Sequence, residues 1–392
     1  MNRERTVIVD DNEADFYYDN AIKLIAKLED TQHLYTKPFC VFGQTPNENF
    51  FRNFYSFLNM VRGLNLPGGA KILDVGCGSG WISEFLWRCG YNVTGIDISD
   101  KFIYLAAERV KAVHYKPQKG SIHFKVLNIE KEYLDEQFDA IVCYGTLHHT
   151  VNEKNALLNM RKMLYECGQL YIRDPAMPQK GSDAEKFYLE ETEKYGTFES
   201  PLSLEYLLEL LKDLGFVDIT SYVEINCVFI QDDKIMGNIQ NVLNKNRGTL
   251  NIVRCRVAGK GNYFYTSRQP HILNAEIKAI NRMGVKRGEK FTIKINVKNI
   301  GDTLWISDSA GSYGSVTVGV KLYRGKDLID QIKVRTYLPY DIKPGSNVEV
   351  TIQYKAPEEP GKYTMKIDMV DERITWFEDA GSNPILLDMI VE

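Results

Sequence analysis

Lys71-Ile72-Leu73-Asp74-Val75-Gly76-Cys77-Gly78-Ser79-Gly80 runs from a short apolar strand straight into a turn with glycine at every second position. Beyond it, Ile82, Phe85, Leu86 and Cys89 recur at helical spacing until Gly90 ends the pattern. A strand, a glycine turn and an amphipathic helix form the opening unit of an alternating α/β sheet.

The unit repeats. Asn92–Asp97 reads as a second strand, with Ser99 and Asp100 as caps for a helix running to about Val113. His123–Asn128 and Phe138–Tyr144 supply two more strands. Leu157, Met160, Arg161 and Leu164 share a helix face ahead of a fifth strand, Gln169–Arg173. Leu204, Leu207, Leu208 and Leu211 mark a helix that ends at Gly215 and feeds the strand Phe216–Thr220. A polar stretch between Ile230 and Gly248 interrupts the rhythm, and Asn251–Val257 resumes it as the last strand of a seven-stranded, parallel sheet. Ahead of the sheet, residues 1–68 hold amphipathic stretches such as Phe50, Phe51, Phe54, Phe57 and Leu58, expected to form helices that cap it.

The glycine spacing selects the ligand. A dinucleotide-binding turn requires G-x-G-x-x-G, whose third glycine lets the helix approach the strand, but Trp81 stands there. No G-x-x-x-x-G-K-[ST] sequence supplies a phosphate lysine either. The loop therefore suits a ligand without a pyrophosphate. S-adenosylmethionine meets that condition, with an ammonium for Asp74 or loop carbonyls and a carboxylate for the amides around Gly76 and Gly78. Asp97 ends the second strand on the carboxyl edge, where open α/β sheets bind ligands, and can accept from both ribose hydroxyls. Its plainer role is to cap the helix that follows.

Residues 71–175 resemble the class I S-adenosylmethionine-dependent methyltransferases, which have a Rossmann-like sheet. The resemblance is carried by Leu73–Gly80, Val93–Ser99, Phe138–Cys143, Leu147-His148-His149 and Met163–Leu170. It implies that Asp74, Gly76, Cys77, Gly78 and Gly80 hold the methionine portion, that Asp97 and Ile98 hold the ribose, and that Asn128 and Ile129 read the adenine. Tyr144 completes the set. The family often has Asp where this chain has Asn128, whose amide oxygen can also accept.

Methyl transfer needs the donor carbon and the nucleophile in line, and a base helps when the nucleophile is a hydroxyl. His149 and His148 follow the fourth strand and are the candidate bases, weighed against simple packing roles. Asp174 also ends a strand at this edge, although Asp174-Pro175 suits a turn. Tyr17 and Tyr18 are candidates to close over the site. No metal is expected.

After about Ala275 the period changes to two. Phe291, Ile293, Ile295 and Val297 alternate with Thr292, Lys294, Asn296 and Lys298. The same alternation recurs at Val316–Leu322, Val348–Tyr354 and Tyr363–Met369, between turns such as Pro344-Gly345 and Pro360-Gly361. About seven short strands give a β-sandwich over 272–392, following a methyltransferase domain over 69–265. This region resembles the immunoglobulin-like modules fused to bacterial enzymes that modify surface glycans, through Asn299–Trp305, Pro360–Tyr363, Asp368–Glu372 and Trp376-Phe377. The resemblance implies a sugar or glycan precursor as acceptor, with the sandwich binding glycan or a partner enzyme. Trp305, Trp376 and Tyr313 are candidates to stack on sugar faces, though a sandwich core also needs tryptophan. Methylation of another small molecule, and a glycan-binding adaptor with a cofactor-sensing domain, are the competing readings.

Composition bounds these expectations. The 392 residues exceed one ordinary core, and 44% apolar with 26% charged content fits a globular chain. A net charge of −4 without clustered Lys and Arg argues against nucleic acid. The start, Met1–Asp10, has no apolar signal core and no run of membrane-spanning length occurs, so a cytoplasmic protein is expected. Seven cysteines without a C-x-x-C pair fit neither disulfides nor zinc.

Overall fold

The structure, a computed structural model, describes residues 13–27, 32–39, 48–224, 249–259, 265–268, 270–279, 283–308, 311 and 313–392. The stretches Met1–Asp10 and Ile230–Gly248 singled out above lie outside them. Contacts divide the chain into two compact units, Met1–Leu64 with Gly68–Lys260, and Asn65–Pro67 with Gly261–Glu392.

In the first unit, β1 (Lys71–Val75), β2 (Asn92–Asp97), β3 (Ile122–Val126), β4 (Phe138–Tyr144), β5 (Leu164–Pro175), β6 (Phe216–Tyr222) and β7 (Leu250–Val257) form one sheet in the order β3-β2-β1-β4-β5-β7-β6. This is a Rossmann-like sheet, but a mixed one. β7 inserts between β5 and β6 and runs antiparallel to both, so the expectation of an all-parallel sheet is corrected at that edge. β3 stops at Val126, leaving Asn128 beyond the strand rather than in it.

The helices are α1 (Ala14–Ala26), α2 (Gln32–Thr36), α3 (Glu48–Leu64), α4 (Trp81–Arg88), α5 (Asp100–Lys111), α6 (Glu153–Lys162), α7 (Asp183–Tyr195) and α8 (Leu204–Asp213). Capping sets their starts: Ser99, Asn152 and Ser203 each accept from a backbone amide three residues on. The central strands are mostly buried, with Ile72, Leu73, Ile141, Val142 and Leu170 all inaccessible. Leu157, Met160, Leu207 and Leu211 bring the stripes of α6 and α8 into the same core. On α3, Phe50, Phe54 and Phe57 meet Phe39, Phe85 and Trp81 in a continuous ring cluster, which seats this helix on α4.

The second unit is all β. One sheet has the order β10-β18-β16-β13-β14, where β10 is Met283–Val285, β13 Val316–Arg324, β14 Asp327–Tyr337, β16 Gly361–Asp371 and β18 Ile385–Val391; β17 (Thr375–Trp376) pairs with β16. A second sheet joins β15 (Asn347–Lys355), β11 (Lys290–Asn299) and β9 (Ala275–Ala279). The short β8 (Tyr265–Thr266) pairs with β12 (Thr303–Leu304). Ile293, Ile295 and Val297 from one sheet and Val318, Val320, Ile367 and Met369 from the other share one core, as their period of two requires. Among the described residues this unit has eleven strands, several of them only two or three residues long, where about seven were expected. Trp305 is fully buried and meets Phe377 edge-on at 5.2 Å, so it is a core residue and not a sugar platform. The Trp376 ring is covered by Lys321 at 3.8 Å and Arg335 at 4.8 Å. Tyr313 is exposed.

Candidate functional site

β1 lies at the centre of the sheet, between β2 and β4, so the turn after Val75 opens at the carboxyl edge. Gly76, Gly78 and Gly80 adopt φ of 68°, 51° and 77°, a region closed to most side chains. Each has a distinct use. A Cβ on Gly76 would lie 2.2 Å from Thr146 Oγ1, and one on Gly80 would lie 2.7 Å from the Ala106 Cβ of α5. Nothing stands within 4 Å of the corresponding position on Gly78. Gly80 therefore lets α5 approach the turn closely, while no side chain stands over the Gly78 position.

Asp97 is buried at this turn. Its Oδ2 accepts from the Gly78 amide at 2.9 Å and its Oδ1 from the Ser99 amide at 2.9 Å. The carboxylate ties the glycine turn to β2 and holds the amide of Ser99, the residue that caps α5, and each oxygen retains a lone pair for a ligand hydroxyl. Burial raises its pKa, and the two amide bonds oppose the shift. Asp74 lies deeper, 1% exposed, with the Ser83 hydroxyl donating to its Oδ2 at 2.5 Å. Burial raises its pKa to about 7, the Ser83 bond opposes that, and the nearby Asp97 charge adds to it. Asp74 thus sits beneath the turn. Cys77 is buried, its amide donating to the Ile96 carbonyl at 2.9 Å, and burial pushes its thiol well up.

Of the adenine candidates, Asn128 Oδ1 already accepts from the Glu130 amide at 2.9 Å, leaving its second lone pair and its amide group. Ile129 packs in the core, its carbonyl taking Asn159 Nδ2 at 2.8 Å. Ile98 is half-buried beside Asp97. A turn with no side chain over Gly78, a carboxylate with spare acceptor capacity and a half-buried apolar neighbour suit the ribose of S-adenosylmethionine, while the Gly78 amide itself is taken by Asp97.

The short α2 is strapped to this turn. Ser79 Oγ donates to the Leu34 carbonyl at 2.9 Å, and Arg109 Nη1 donates to the Leu34 and Tyr35 carbonyls at 3.2 and 2.7 Å. A buried Arg109–Glu84 pair at 2.5 Å holds the arginine in place. The strap went unseen in the sequence because its acceptors are backbone carbonyls, which carry no residue-type signal.

Thr146 Oγ1 donates to the Val75 carbonyl at 3.1 Å and so joins the loop after β4 to the glycine turn. A single 3-10 turn, Leu147–His149, follows immediately. His148 is buried, with Nδ1 3.0 Å from Asp174 Oδ1 and Nε2 3.6 Å from Glu199 Oε2. The Leu147 amide also donates to Asp174 Oδ1, at 3.2 Å. His149 is more exposed and places Nδ1 3.2 Å from both Glu199 Oε1 and the Phe198 carbonyl. Crowding works to lower its pKa, but the Glu199 bond, the Glu199 and Asp174 charges and the Phe198 carbonyl outweigh it, and the net shift is upward. Burial works to raise Glu199, yet the His149 bond and both histidine charges hold it below the usual carboxylate range.

His149 pairs with Glu199, whereas His148 faces the buried Asp174 carboxylate, an arrangement able to orient an imidazole. Nitrogen and oxygen atoms of His148, His149 and Glu199 lie within 4.8 Å of one another, a spacing compatible with a metal ion as well as with an ion-paired proton path. Tyr17 lies over this corner, its ring 5.5 Å from Phe198.

Tyr144 turns away from the histidines. Its ring meets Trp81 edge-on at 5.9 Å and lies 4.6 Å beneath the Arg173 guanidinium, whose Nη2 donates to Glu224 Oε2 at 3.2 Å. The Ser56 hydroxyl donates to the same Glu224 oxygen at 2.7 Å. Thr146, Glu199, Arg173 and Glu224 were all missed in the sequence, where each is one polar residue among many.

Residues 73–172 match a family model described as a methyltransferase domain. Over 106 residues the chain is 30% identical to a ubiquinone biosynthesis O-methyltransferase of Dechloromonas aromatica (strain RCB), covering 26% of this chain and 44% of that protein. It is 34% identical over 105 residues to a protein of the same name from Coxiella burnetii (strain Dugway 5J108-111), covering 26% and 43%. The chain spans under half the length of these curated relatives. A methyltransferase structure from Methanosarcina mazei aligns at 21% identity with a TM-score of 0.38, over 50% of this chain and 95% of that one. Magnesium protoporphyrin IX methyltransferase from Synechocystis PCC 6803, with bound S-adenosylhomocysteine, aligns at 16% identity and 0.40, over 62% and 98%. The first unit carries a methyltransferase domain. Among the described residues no helix is long and apolar enough to cross a membrane.

Proposed function

We propose that this chain is an S-adenosylmethionine-dependent O-methyltransferase in which His148, oriented by Asp174, takes the proton of the acceptor hydroxyl. The observation that carries the reading is the 3.0 Å contact between His148 Nδ1 and Asp174 Oδ1, in the turn that Thr146 fastens to the glycine loop. With Nδ1–H donated to the carboxylate, Nε2 keeps its lone pair and serves as acceptor for a substrate proton. Glu199, 3.6 Å from Nε2, stabilises the imidazolium that results.

S-adenosylmethionine, when bound, supplies an electrophilic methyl group on its sulfonium. The residues that would hold it are the Gly76–Gly80 backbone, Asp97 and Ile98, with Asn128 at the adenine end. Holding both partners fixed is the larger share of catalysis for this displacement. The names of the curated relatives favour oxygen as the nucleophile. A sugar or glycan-precursor hydroxyl is the acceptor class inferred from the immunoglobulin-like signature of the second unit.

Calorimetry of the native chain with S-adenosylmethionine, followed by release of S-adenosylhomocysteine across a panel of nucleotide sugars and phenols, tests the reading. Binding followed by turnover that collapses in His148→Asn is the expected result. Absence of cofactor binding by the native chain overturns the enzyme assignment. Undiminished turnover by His148→Asn removes the base.

A further inference from the structure

Positive charge collects on the α2–α3 side of the carboxyl edge beyond what the base and the cofactor turn require. Lys37 follows α2, with Nζ 5.7 Å from the centre of the Trp81 ring. Trp81 meets Tyr144, and Tyr144 lies beneath Arg173, so the rings link the two cations in one arc. Arg52, on α3, is close enough for its charge to act on both Lys37 and Tyr144. Lys37 and Arg52 are exposed at the surface, yet partial desolvation of Lys37 and the charges of Arg173, Arg52 and Arg109 hold the Lys37 pKa below the usual lysine value.

The counter-charges fall short. Glu84 neutralises Arg109 and Glu224 neutralises Arg173. Among the described residues no carboxylate pairs with Lys37 or Arg52, and the bond made by Arg52 is to Asn49 Oδ1 at 2.7 Å. A buried donor is also unspent: Arg173 Nε makes no hydrogen bond, and Tyr144 Oη has only the Ser56 hydroxyl beside it. Gathering like charges and leaving a buried donor idle both cost free energy, and one bound oxyanion would relieve both at once. A guanidinium with free N–H groups matches a carboxylate or phosphate in shape.

We infer that Lys37, Arg52 and Arg173, with Tyr144, form an oxyanion subsite that holds a carboxylate or phosphate of the methyl acceptor, which is therefore an anionic hydroxyl compound. The inference rests on the methyltransferase reading for the identity of its ligand. Arg173 and Asp174 are consecutive on β5, so their side chains leave opposite faces of one strand end. An acceptor anchored at Arg173 reaches across that end toward the imidazole that Asp174 orients.

The test uses the full chain saturated with S-adenosylhomocysteine. Its thermal midpoint is compared in sodium phosphate, sodium acetate and sodium chloride at matched ionic strength, for the native protein and for Lys37→Gln and Arg52→Gln. The midpoint is expected to rise in phosphate or in acetate over chloride, which separates the two oxyanion sources. Each variant is expected to weaken the apparent anion affinity about tenfold, the worth of roughly 1.4 kcal/mol, with unchanged affinity for S-adenosylhomocysteine. Equal midpoints in all three salts, or variants that respond like the native chain, overturn the subsite. If S-adenosylhomocysteine does not bind, the methyltransferase reading falls instead, and the same salt series on the unloaded chain still decides whether an anion site exists.

Discussion

His148 Nδ1 and Asp174 Oδ1 stand 3.0 Å apart, both buried, at the ends of neighbouring strands β4 and β5. A carboxylate in that position keeps the proton on Nδ1 and leaves Nε2 free to accept. Asp174→Ala removes the acceptor that fixes the proton on Nδ1, so neither the tautomer nor the ring orientation is held and Nε2 is no longer set to accept. The substitution is expected to lower kcat by about 10²–10⁴-fold, the range for loss of a positioned base. The KM for S-adenosylmethionine should move little. Steady-state kinetics across pH 6–9 checks this, and an unaltered kcat and pH profile would show that Asp174 serves the fold alone.

Asp97 joins two jobs in one carboxylate, since both oxygens accept backbone amides and both have room for ribose hydroxyls. Asp97→Ala leaves the Gly78 and Ser99 amides without acceptors and removes the ligand contact. Hydrogen bonds to a charged group contribute about 1.5–3 kcal/mol, so cofactor affinity should fall roughly 10–100-fold. Calorimetry with S-adenosylhomocysteine measures it, with circular dichroism to confirm a folded sheet. An affinity equal to that of the native chain would leave Asp97 only the structural role of holding the Gly78 and Ser99 amides.

The three loop glycines should separate experimentally. Gly80→Ala drives a methyl group to 2.7 Å from Ala106 Cβ on α5, with φ at 77°. Overpacking of this kind costs about 1–3 kcal/mol, and the backbone strain adds to it. Gly78→Ala, in open space at φ 51°, bears the strain alone. Urea unfolding should rank Gly80→Ala well below Gly78→Ala, whereas cofactor affinity should suffer in both. Equal stability of the two variants would mean that α5 can retreat from the turn.

Much of this unit was legible because its signals are local. Glycine at 76, 78 and 80 announces positive φ, Ser99 announces a cap, and the spacing of Leu204, Leu207 and Leu211 announces a buried helix face. The pairing of His148 with Asp174 was not legible, because it depends on β4 and β5 lying side by side in a register that sets Tyr144 opposite Arg173. The place of β7 between β5 and β6 escaped for the same reason: strand order is a long-range property, and Asn251–Val257 carries the same apolar rhythm in either position.

Asp74 makes the stability of the ligand-free protein depend on pH. Its carboxyl titrates at about 7 in the fold, mainly because burial opposes ionisation, against an unfolded value of about 3.9. Between those values the native state binds the extra proton, so this group's contribution is complete below the unfolded pKa and is lost as pH rises through the folded one. The loss approaches about 1.4 kcal/mol per pH unit across that window. Asp74→Asn keeps an acceptor for the Ser83 hydroxyl and has nothing to titrate. Urea denaturation at pH 5, 6, 7 and 8 should therefore show a steeper decline for the native chain than for the variant, and the variant should be the more stable of the two at pH 8. Parallel curves would mean that Asp74 remains ionised throughout, held by a cation that the Ser83 and Asp97 contacts do not reveal.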